Sequence, residues 1–381
     1  MRRGADGAAR RGGLTVCFTL PYPSAKVTGV SRFVGDLTRE LLKSDVRSIV
    51  IAPGDQIENQ DVNRIRVRGH FLLNLQLGAG TFMKMTRLRR RYQVVHAQHT
   101  HFQSLVACFL AKLFGNASVL TLHGNVPHPV GRTRRFVHLL TEALVVRLAT
   151  RVVAVSSYVA ETFSRYRSDI EVIENGVDVE VFKPNDTTRD RVRTQLGFGS
   201  EVVFLYAGRW ARSKGVDQLV QVAHSKGLNS GSFVLLLIGE SDPSESGLSD
   251  SMNNLNEGSR IRILGRVVES LPDILNAADV FVLPSLYEGM PMGFLEAMAS
   301  GLPVLASDIP VNRMLVDRAG CGWTFRAGDA NDLERAMLAI LNEPIPRLMS
   351  VNARAAALRF HALEEECRRY LAIYSKLGVA P

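Results

Sequence analysis

Two carboxylates eight residues apart, Glu288 and Glu296, stand in the stretch Leu-Pro-Ser-Leu-Tyr-Glu-Gly-Met-Pro-Met-Gly-Phe-Leu-Glu-Ala-Met-Ala-Ser-Gly-Leu-Pro-Val, residues 283–304. The pattern predicts a helix over about 292–300, with Glu288 in the loop before it and Glu296 within it. Carboxylates so spaced can hold different hydroxyls of one polyol. Gly289, Pro291 and Gly293 let the loop backbone come close to a ligand, and the first N–H groups of the helix face any anion. A second pair of chemical groups is cationic. Arg209 follows the apolar run 202–207, and Lys214 precedes a helix predicted from 216. Two cations, backbone N–H groups and a helix dipole at a strand end make a phosphate or diphosphate site; the alternative is a pair of surface cations. His123 is a third candidate, at the end of the run 118–122 and followed by Gly124. It is read either as a cleft residue or as a structural histidine. His96, His99 and His101 crowd the end of another apolar run, but no nearby acid completes a metal set. They read as hydrogen-bond donors in a cleft.

These groups need strands to carry them and helices to follow. Short apolar runs at 14–20, 48–52, 64–67, 94–95, 118–122, 152–155 and 170–173 predict strands in the first half. Runs at 202–207, 233–238, 261–264, 280–283, 303–306 and 323–325 do the same in the second. Between them, apolar spacing of three and four predicts helices, as at 30–43, 103–114 and 134–149. Residues 73–80 read as an apolar loop and 82–91 as a helix bearing Lys84, Arg87, Arg89, Arg90 and Arg91. Residues 126–131 and 241–256 read as a Pro-rich and a polar loop. Helices at 331–341, 345–360 and 364–377 close the chain. Alternation of this kind predicts a parallel α/β protein whose ligands lie beyond the carboxyl ends of the strands. The expected division is a basic disordered tail over 1–13, a first Rossmann-like domain over 14–178 and a second over 179–360. A C-terminal helix, about 361–381, completes the first.

The net charge is +9, and its distribution is uneven. Residues 1–178 carry 25 Lys and Arg against 13 Asp and Glu, whereas residues 179–381 carry 21 against 24. A basic half suits nucleic acid, an anionic membrane face or an anionic substrate; a solvated surface without a partner is the plain alternative. The cations are not interleaved with aromatics and no nucleic-acid motif occurs, so nucleic acid is not expected. Cys17, Cys108, Cys321 and Cys367 lack metal-type spacing and read as free thiols of a reducing compartment. No signal-peptide pattern and no run of 18 apolar residues occurs, so the expected location is cytoplasmic.

Gly208-Arg209, Lys214-Gly215, Glu288-Gly289 and Glu296-Ala297 follow one another at predicted strand ends, after Asn175-Gly176-Val177-Asp178. In that order and spacing they resemble glycosyltransferase family 4, the retaining, nucleotide-sugar-dependent transferases of GT-B fold. The resemblance covers almost the whole chain and is strongest over 173–304. It implies two Rossmann-like domains facing across a cleft. It implies that Arg209 and Lys214 hold the donor diphosphate, that Glu296 binds the ribose and that Glu288 reaches the transferred sugar. Backbone N–H groups around Gly289, Met290, Pro291 and Met292 would meet sugar and phosphate, and the base would lie near Gly265 and Val267. Gly29 matches the loop that closes on the diphosphate, and His123 the histidine beside the reacting sugar. The chain departs from the family pattern at Pro291, where Gly is frequent, at Thr28-Gly29, where a double Gly is usual, and at Glu174, where Pro is usual.

The resemblance implies a UDP- or GDP-sugar donor and a glycan or lipid-linked acceptor in surface-polysaccharide or glycolipid synthesis. The basic first half, with Lys84, Arg87, Arg89, Arg90 and Arg91, adds an expected peripheral contact with an anionic membrane through the first domain. No Asp-x-Asp pair suited to a metal-bound diphosphate occurs, so no cofactor and no required metal are expected. The alternatives within the same fold are a sugar-nucleotide epimerase or hydrolase and a non-catalytic sugar-nucleotide-binding protein. The four charged residues Arg209, Lys214, Glu288 and Glu296 argue against the last. A nicotinamide-dependent oxidoreductase is excluded, because no Gly-x-Gly-x-x-Gly follows the first strand.

Overall fold

The run Val280–Leu283 is apolar at every position, which suits a strand covered on both faces. All four residues are buried in the strand they form. The computed structural model describes residues 13–21, 28–53, 61–65, 73–124, 131–225, 227–230, 232–240, 260–265 and 271–377. The chain divides into two units. The first runs to Ile173 and takes back the chain from Cys367; the second is Glu174–Glu366.

The first unit holds β1 (Thr15–Thr19), β2 (Arg47–Pro53), β3 (Asp61–Ile65), β4 (Val94–Gln98), β5 (Ala117–Leu122), β6 (Arg151–Ala154) and β7 (Glu171–Val172). They form one sheet in the order β3-β2-β1-β4-β5-β6-β7, paired in parallel throughout. Alternation along β1 feeds two cores. Val16 and Phe18 pack with Phe33, Val34 and Leu37 of helix Gly29–Lys43 and with Cys367, Tyr370 and Tyr374 of helix Leu363–Lys376. Cys17 packs with Leu77, Met85 and Leu110 of helices Leu73–Leu88 and Phe102–Leu113.

The second unit holds β8 (Val202–Ala207), β9 (Phe233–Ile238), β10 (Ile261–Gly265), β11 (Val280–Leu283), β12 (Val304–Ser307) and β13 (Gly322–Phe325). Their order is β10-β9-β8-β11-β12-β13, again all parallel. Strand order reverses between β1 and β4 and between β8 and β11. Such a reversal opens a crevice at the carboxyl ends of the two strands concerned.

Several expectations need correction. The helix expected over 82–91 starts nine residues earlier, as Leu73–Leu88, and Arg89 to Arg91 follow it. Glycines such as Gly78 and Gly80 weaken a helix interior, but a Cβ at Gly78 would stand 2.6 Å from Cε1 of Phe102. Glycine there lets two helices touch. The strand expected over 64–67 is Asp61–Ile65. Two helices were missed, Asp186–Leu196 and Pro310–Ala319. The first buries only Val192 and so shows no apolar stripe. Asn185 caps its start, Gly197 ends it at φ 68°, and Arg189 and Arg193 tie it to Asp279 and to the carbonyls of residues 276–278. The predicted tail up to residue 12, and most of the loops expected over 126–131 and 241–256, lie outside the described residues.

All four cysteines are buried free thiols, and burial pushes Cys17, Cys108 and Cys321 up to about 12. Among the described residues, no helix is long and apolar enough to cross a membrane.

Candidate functional site

In the second unit, the chain leaves β8 and turns at Gly208. The Gly208 N–H donates to the Ile238 carbonyl at 3.0 Å, and the buried Tyr206 hydroxyl donates to the Arg209 carbonyl at 2.7 Å. These bonds fix the backbone from which the exposed Arg209 side chain projects. Residues Arg212–Lys214 make one 3₁₀ turn, and Gly215, at φ 66°, reverses the chain into helix Val216–Ala223. A Cβ at Gly215 would lie 2.2 Å from the Pro284 carbonyl oxygen. The loop after β8 therefore touches the loop after β11 backbone to backbone, and the Leu286 N–H donates to the Ser213 carbonyl at 2.9 Å.

That contact brings the first charges together. The Lys214 ammonium lies 2.7 Å from Oε1 of Glu288, and the buried Ser285 hydroxyl donates to the same oxygen at 2.8 Å. The side chains of Lys214 and Glu288 are 24% and 12% exposed, enough for a ligand to reach the pair but too little for water to screen it fully.

The loop after β11 ends at Pro291, which begins helix Met292–Ala299. Pro291 accepts the Phe294 N–H at 3.1 Å and the Leu295 N–H at 3.3 Å, so a missing N–H of its own costs this position nothing. No side chain caps the helix, which leaves its first turn available to an anion. Gly293 is close to the sheet: a Cβ would stand 3.1 Å from the Phe281 ring and 3.3 Å from the Ala207 carbonyl. Glu296 lies one turn into this helix and is 2% exposed. Gly289 and Met290 are buried, and the Met290 carbonyl accepts from Nδ2 of Asn175 at 3.3 Å. Gly265 ends β10 at φ 63°, and its carbonyl accepts the Gly239 N–H at 2.8 Å. Val267 lies outside the described residues.

The second unit thus gathers Arg209, Lys214, Glu288, Gly289, Met290, Pro291 and Met292 on two touching loops at its strand-order reversal. Gly265 is on the far strand of the sheet. Sequence reasoning missed Ser285, Tyr206 and the link from Asn175. Ser285 stands three residues before Glu288 and was the most findable. Glu174, where the family pattern has Pro, makes a two-pronged pair with Arg318 at 3.1 and 2.7 Å.

In the first unit, His123 follows β5 directly. Its Nε2 lies 2.7 Å from Oε1 of Gln98 at the end of β4, and its ring meets the Phe33 ring edge-on at 4.6 Å. With the amide oxygen toward the ring, Nε2 carries the proton and Nδ1 is an acceptor. Burial pushes the His123 imidazole down to about 3, so it is neutral at pH 7. His99 lies 5.1 Å from His123, at φ 60°, a costly conformation away from glycine. The cleft-donor expectation fails for His96. It is wholly buried, with Nδ1 2.8 Å from the Tyr374 hydroxyl and Nε2 2.7 Å from Oγ1 of Thr121. Its two ring nitrogens are used inside the core.

Gly29 is the exposed first residue of its helix, and a Cβ there would meet nothing within 4 Å. Thr28 before it accepts the Ser31 N–H at 3.1 Å, and Ser31 accepts the Thr28 N–H at 2.8 Å. Thr28 in place of a second glycine therefore caps the helix. Among the described residues, no group of three His, Cys, Asp or Glu is arranged to hold a metal ion.

Two family models match the chain. One, described as Glycosyltransferase Family 4, covers residues 27–181, and the other, Glycosyl transferases group 1, covers residues 188–357. The alpha-maltose-1-phosphate synthase of Mycolicibacterium smegmatis is 31% identical over 281 residues, 69% of this chain and 71% of its own length. The UDP-Gal:alpha-D-GlcNAc-diphosphoundecaprenol alpha-1,3-galactosyltransferase of Escherichia coli is 28% identical over 275 residues, 70% of each chain. Among solved structures, HepE of Anabaena in complex with UDP and glucose superposes with a TM-score of 0.78 at 20% identity, over 95% of this chain and 100% of that one.

Proposed function

The chain belongs to glycosyltransferase family 4 and is a glycosyltransferase of GT-B fold, and on that premise we propose that it moves a sugar, with retention, from a UDP-sugar to a lipid-linked glycan acceptor. The observation that carries the donor half is the contact of Lys214 with Glu288, beside Arg209 and the uncapped start of helix Met292–Ala299. One end of this group suits a diphosphate and the other suits hydroxyls. An ammonium has three donors. Lys214 can keep Glu288 and still meet a diphosphate oxygen. As the anomeric bond breaks, charge grows on that diphosphate, and preplaced cations and amides stabilise it. The sugar–oxygen bond to the diphosphate breaks, the acceptor oxygen bonds the anomeric carbon from the same face, and the acceptor's proton passes to a leaving diphosphate oxygen. Arg209, Lys214 and the helix start take the part that a metal plays elsewhere, so turnover continues in excess chelator.

UDP is favoured over GDP because HepE was solved with UDP and the E. coli relative is named for a UDP-sugar. The lipid-linked acceptor rests on that relative's name, which specifies a diphosphoundecaprenol-bound sugar. Glu296 binding the ribose and His123 beside the reacting sugar rest on the family resemblance.

The test is a donor screen by thermal shift and nucleotide release across UDP- and GDP-sugars, with and without a polyprenyl-diphosphate-linked sugar. Binding stabilises the folded chain by RT ln(1 + [L]/Kd), so at equal concentration the UDP-sugar with the lowest Kd should stand out. Its product should carry the donor's anomeric configuration by NMR. Donor turnover that needs no acceptor would move the reading to an epimerase or hydrolase. Activity lost in chelator and restored by Mn²⁺ would end the metal-free mechanism.

A further inference from the structure

Within the second unit, Asn175 bonds to the loop that carries Glu288, and residues far from it in sequence hold Asn175 in turn. Its side chain is buried, and its Nδ2 donates to the Met290 carbonyl at 3.3 Å. The facing atom is an oxygen, so the amide must turn its nitrogen toward Met290. Its Oδ1 has no hydrogen-bond partner among the described residues. Bonds pin the segment that follows. The Val177 N–H donates to the His361 carbonyl at 2.8 Å, the Leu363 N–H to the Val177 carbonyl at 3.1 Å and the Gly176 N–H to Glu366 at 2.7 Å. The buried His361 ends helix Arg347–Phe360. Its Nδ1 lies 3.3 Å from the Asn175 carbonyl and its Nε2 2.7 Å from Nη2 of Arg318. A guanidinium only donates, so Nε2 must accept and Nδ1 must carry the proton toward Asn175. That arrangement needs a neutral imidazole. Burial lowers His361 to about 4, with the Arg318 charge adding to the effect and Glu174 opposing it.

Arg318 closes the set. It stands in the last turn of helix Pro310–Ala319, and its guanidinium spans Glu174 and His361 together. The ring of Phe360 lies under it at 5.0 Å. A proline at 174, the usual residue of the family pattern, has no carboxylate to offer Arg318. Each group is therefore oriented by the next, from Glu174 through Arg318, His361 and Asn175 to a carbonyl of the loop between Glu288 and Pro291. Bonds of this supporting kind decide how closely the groups that meet a ligand keep their geometry. We propose that Glu174, Arg318 and His361 are positioning residues: acting through Asn175, they hold the Met290 carbonyl and so keep the Glu288 loop in the form that meets the transferred sugar. This assignment rests on the transfer reading for the identity of the ligand, and on the bonds alone for the coupling.

The experiment compares hydrogen exchange and kinetics of the full chain with those of Arg318→Ala, His361→Leu and His361→Asn. Without ligand, the bonded N–H groups of Leu286, Phe294 and Leu295 should exchange at least about threefold faster in the first two variants, while those of β8 keep their rate. Asparagine carries its amide nitrogen one bond from Cγ, as histidine carries Nδ1, so His361→Asn should restore most of the protection. With the UDP-sugar found in the donor screen, Arg318→Ala and His361→Leu should each lower kcat/KM about tenfold. The Kd of UDP, which lacks the sugar, should move by less than about threefold. Arg318→Ala combined with Glu174→Gln should lose no more than Arg318→Ala alone, since both act along one path. The proposal is overturned by wild-type exchange of the loop in both variants, by faster exchange spread equally over β8, or by His361→Asn behaving as His361→Leu. Equal losses for UDP and the UDP-sugar, or additive losses in the double variant, overturn it as well. A wild-type chain that turns over no UDP- or GDP-sugar ends the transfer reading instead, and the exchange comparison still decides the coupling.

Discussion

Lys214 shows how much one ammonium is asked to do. It neutralises Glu288, which is 12% exposed, and it is the cation proposed to meet the diphosphate. Removing it takes away a charged donor and leaves the Glu288 carboxylate held by the Ser285 hydroxyl, with no cation paired to its charge at that oxygen. Lys214→Ala should lower kcat/KM at least roughly tenfold, since one such donor contributes about 2–4 kcal/mol. Adding Glu288→Gln should hurt less than the two single losses predict, because the variant no longer strands a charge. Near-normal nucleotide release by Lys214→Ala would remove it from the mechanism. His96 makes the other prediction at this scale. Burial is the main cause of its depression to about 3, with His123 nearby adding to it. Its folded value lies below its unfolded value near 6.5, so between the two the unfolded chain binds more protons. Its share of stability is intact above pH 6.5 and is lost as the pH falls toward 3, at about 1.4 kcal/mol per pH unit. Urea unfolding at pH 7.5 and 5.5 should differ accordingly, and His96→Phe should shrink that difference. An unchanged pH dependence in the variant would assign the acid sensitivity to other groups.

At the scale of elements, glycines decide where loops can meet. Gly215 has both a left-handed backbone and a carbonyl 2.2 Å from where a Cβ would be, whereas Gly29 has open space. Gly215→Ala should cost about 1–3 kcal/mol and weaken donor binding by separating the loops that hold Lys214 and Glu288. Gly29→Ala should leave the melting temperature unchanged. Equal melting temperatures for the two variants would contradict the close approach. Gly176 is a third case: a Cβ would stand 2.7 Å from Cα of Leu363, and its N–H donates to Glu366 at 2.7 Å. The same contrasts explain what could be read in advance. Strands such as Val280–Leu283 announce themselves because both faces are covered and every residue is apolar. Arg209, Lys214 and Glu288 were readable as strand-end groups because a parallel sheet presents its loops at one edge. Helix Asp186–Leu196 was not readable, because guanidinium bonds to carbonyls hold it rather than an apolar stripe. The bond from Asn175 to Met290 spans 115 residues, and no local pattern encodes a contact of that separation.

At the scale of the whole molecule, the two units have different reporters. Both tryptophans of the chain, Trp210 and Trp323, belong to the second unit, while His96, Tyr370 and Tyr374 share the core of the first. Tyr374→Phe strands Nδ1 of His96 in that core and should cost about 1–3 kcal/mol. Far-UV circular dichroism should show part of the unfolding transition moving to lower urea, while tryptophan fluorescence keeps its midpoint. A common shift in both signals would mean that the units unfold as one.

The late return of the chain to the first unit has a consequence for synthesis. Cys367, Tyr370, Ile373 and Tyr374 belong to a core whose other members, from Leu14 to Ile173, leave the ribosome about 200 residues earlier. Until that last helix emerges, Phe18, Phe33 and the ring of His96 lack their cover. The first unit therefore waits, incomplete, through translation of the entire second one. It is the stage at which a nascent chain of this kind is most exposed to chaperones, and the point at which a stalled ribosome would release a protein with a finished second unit and an unfinished first one.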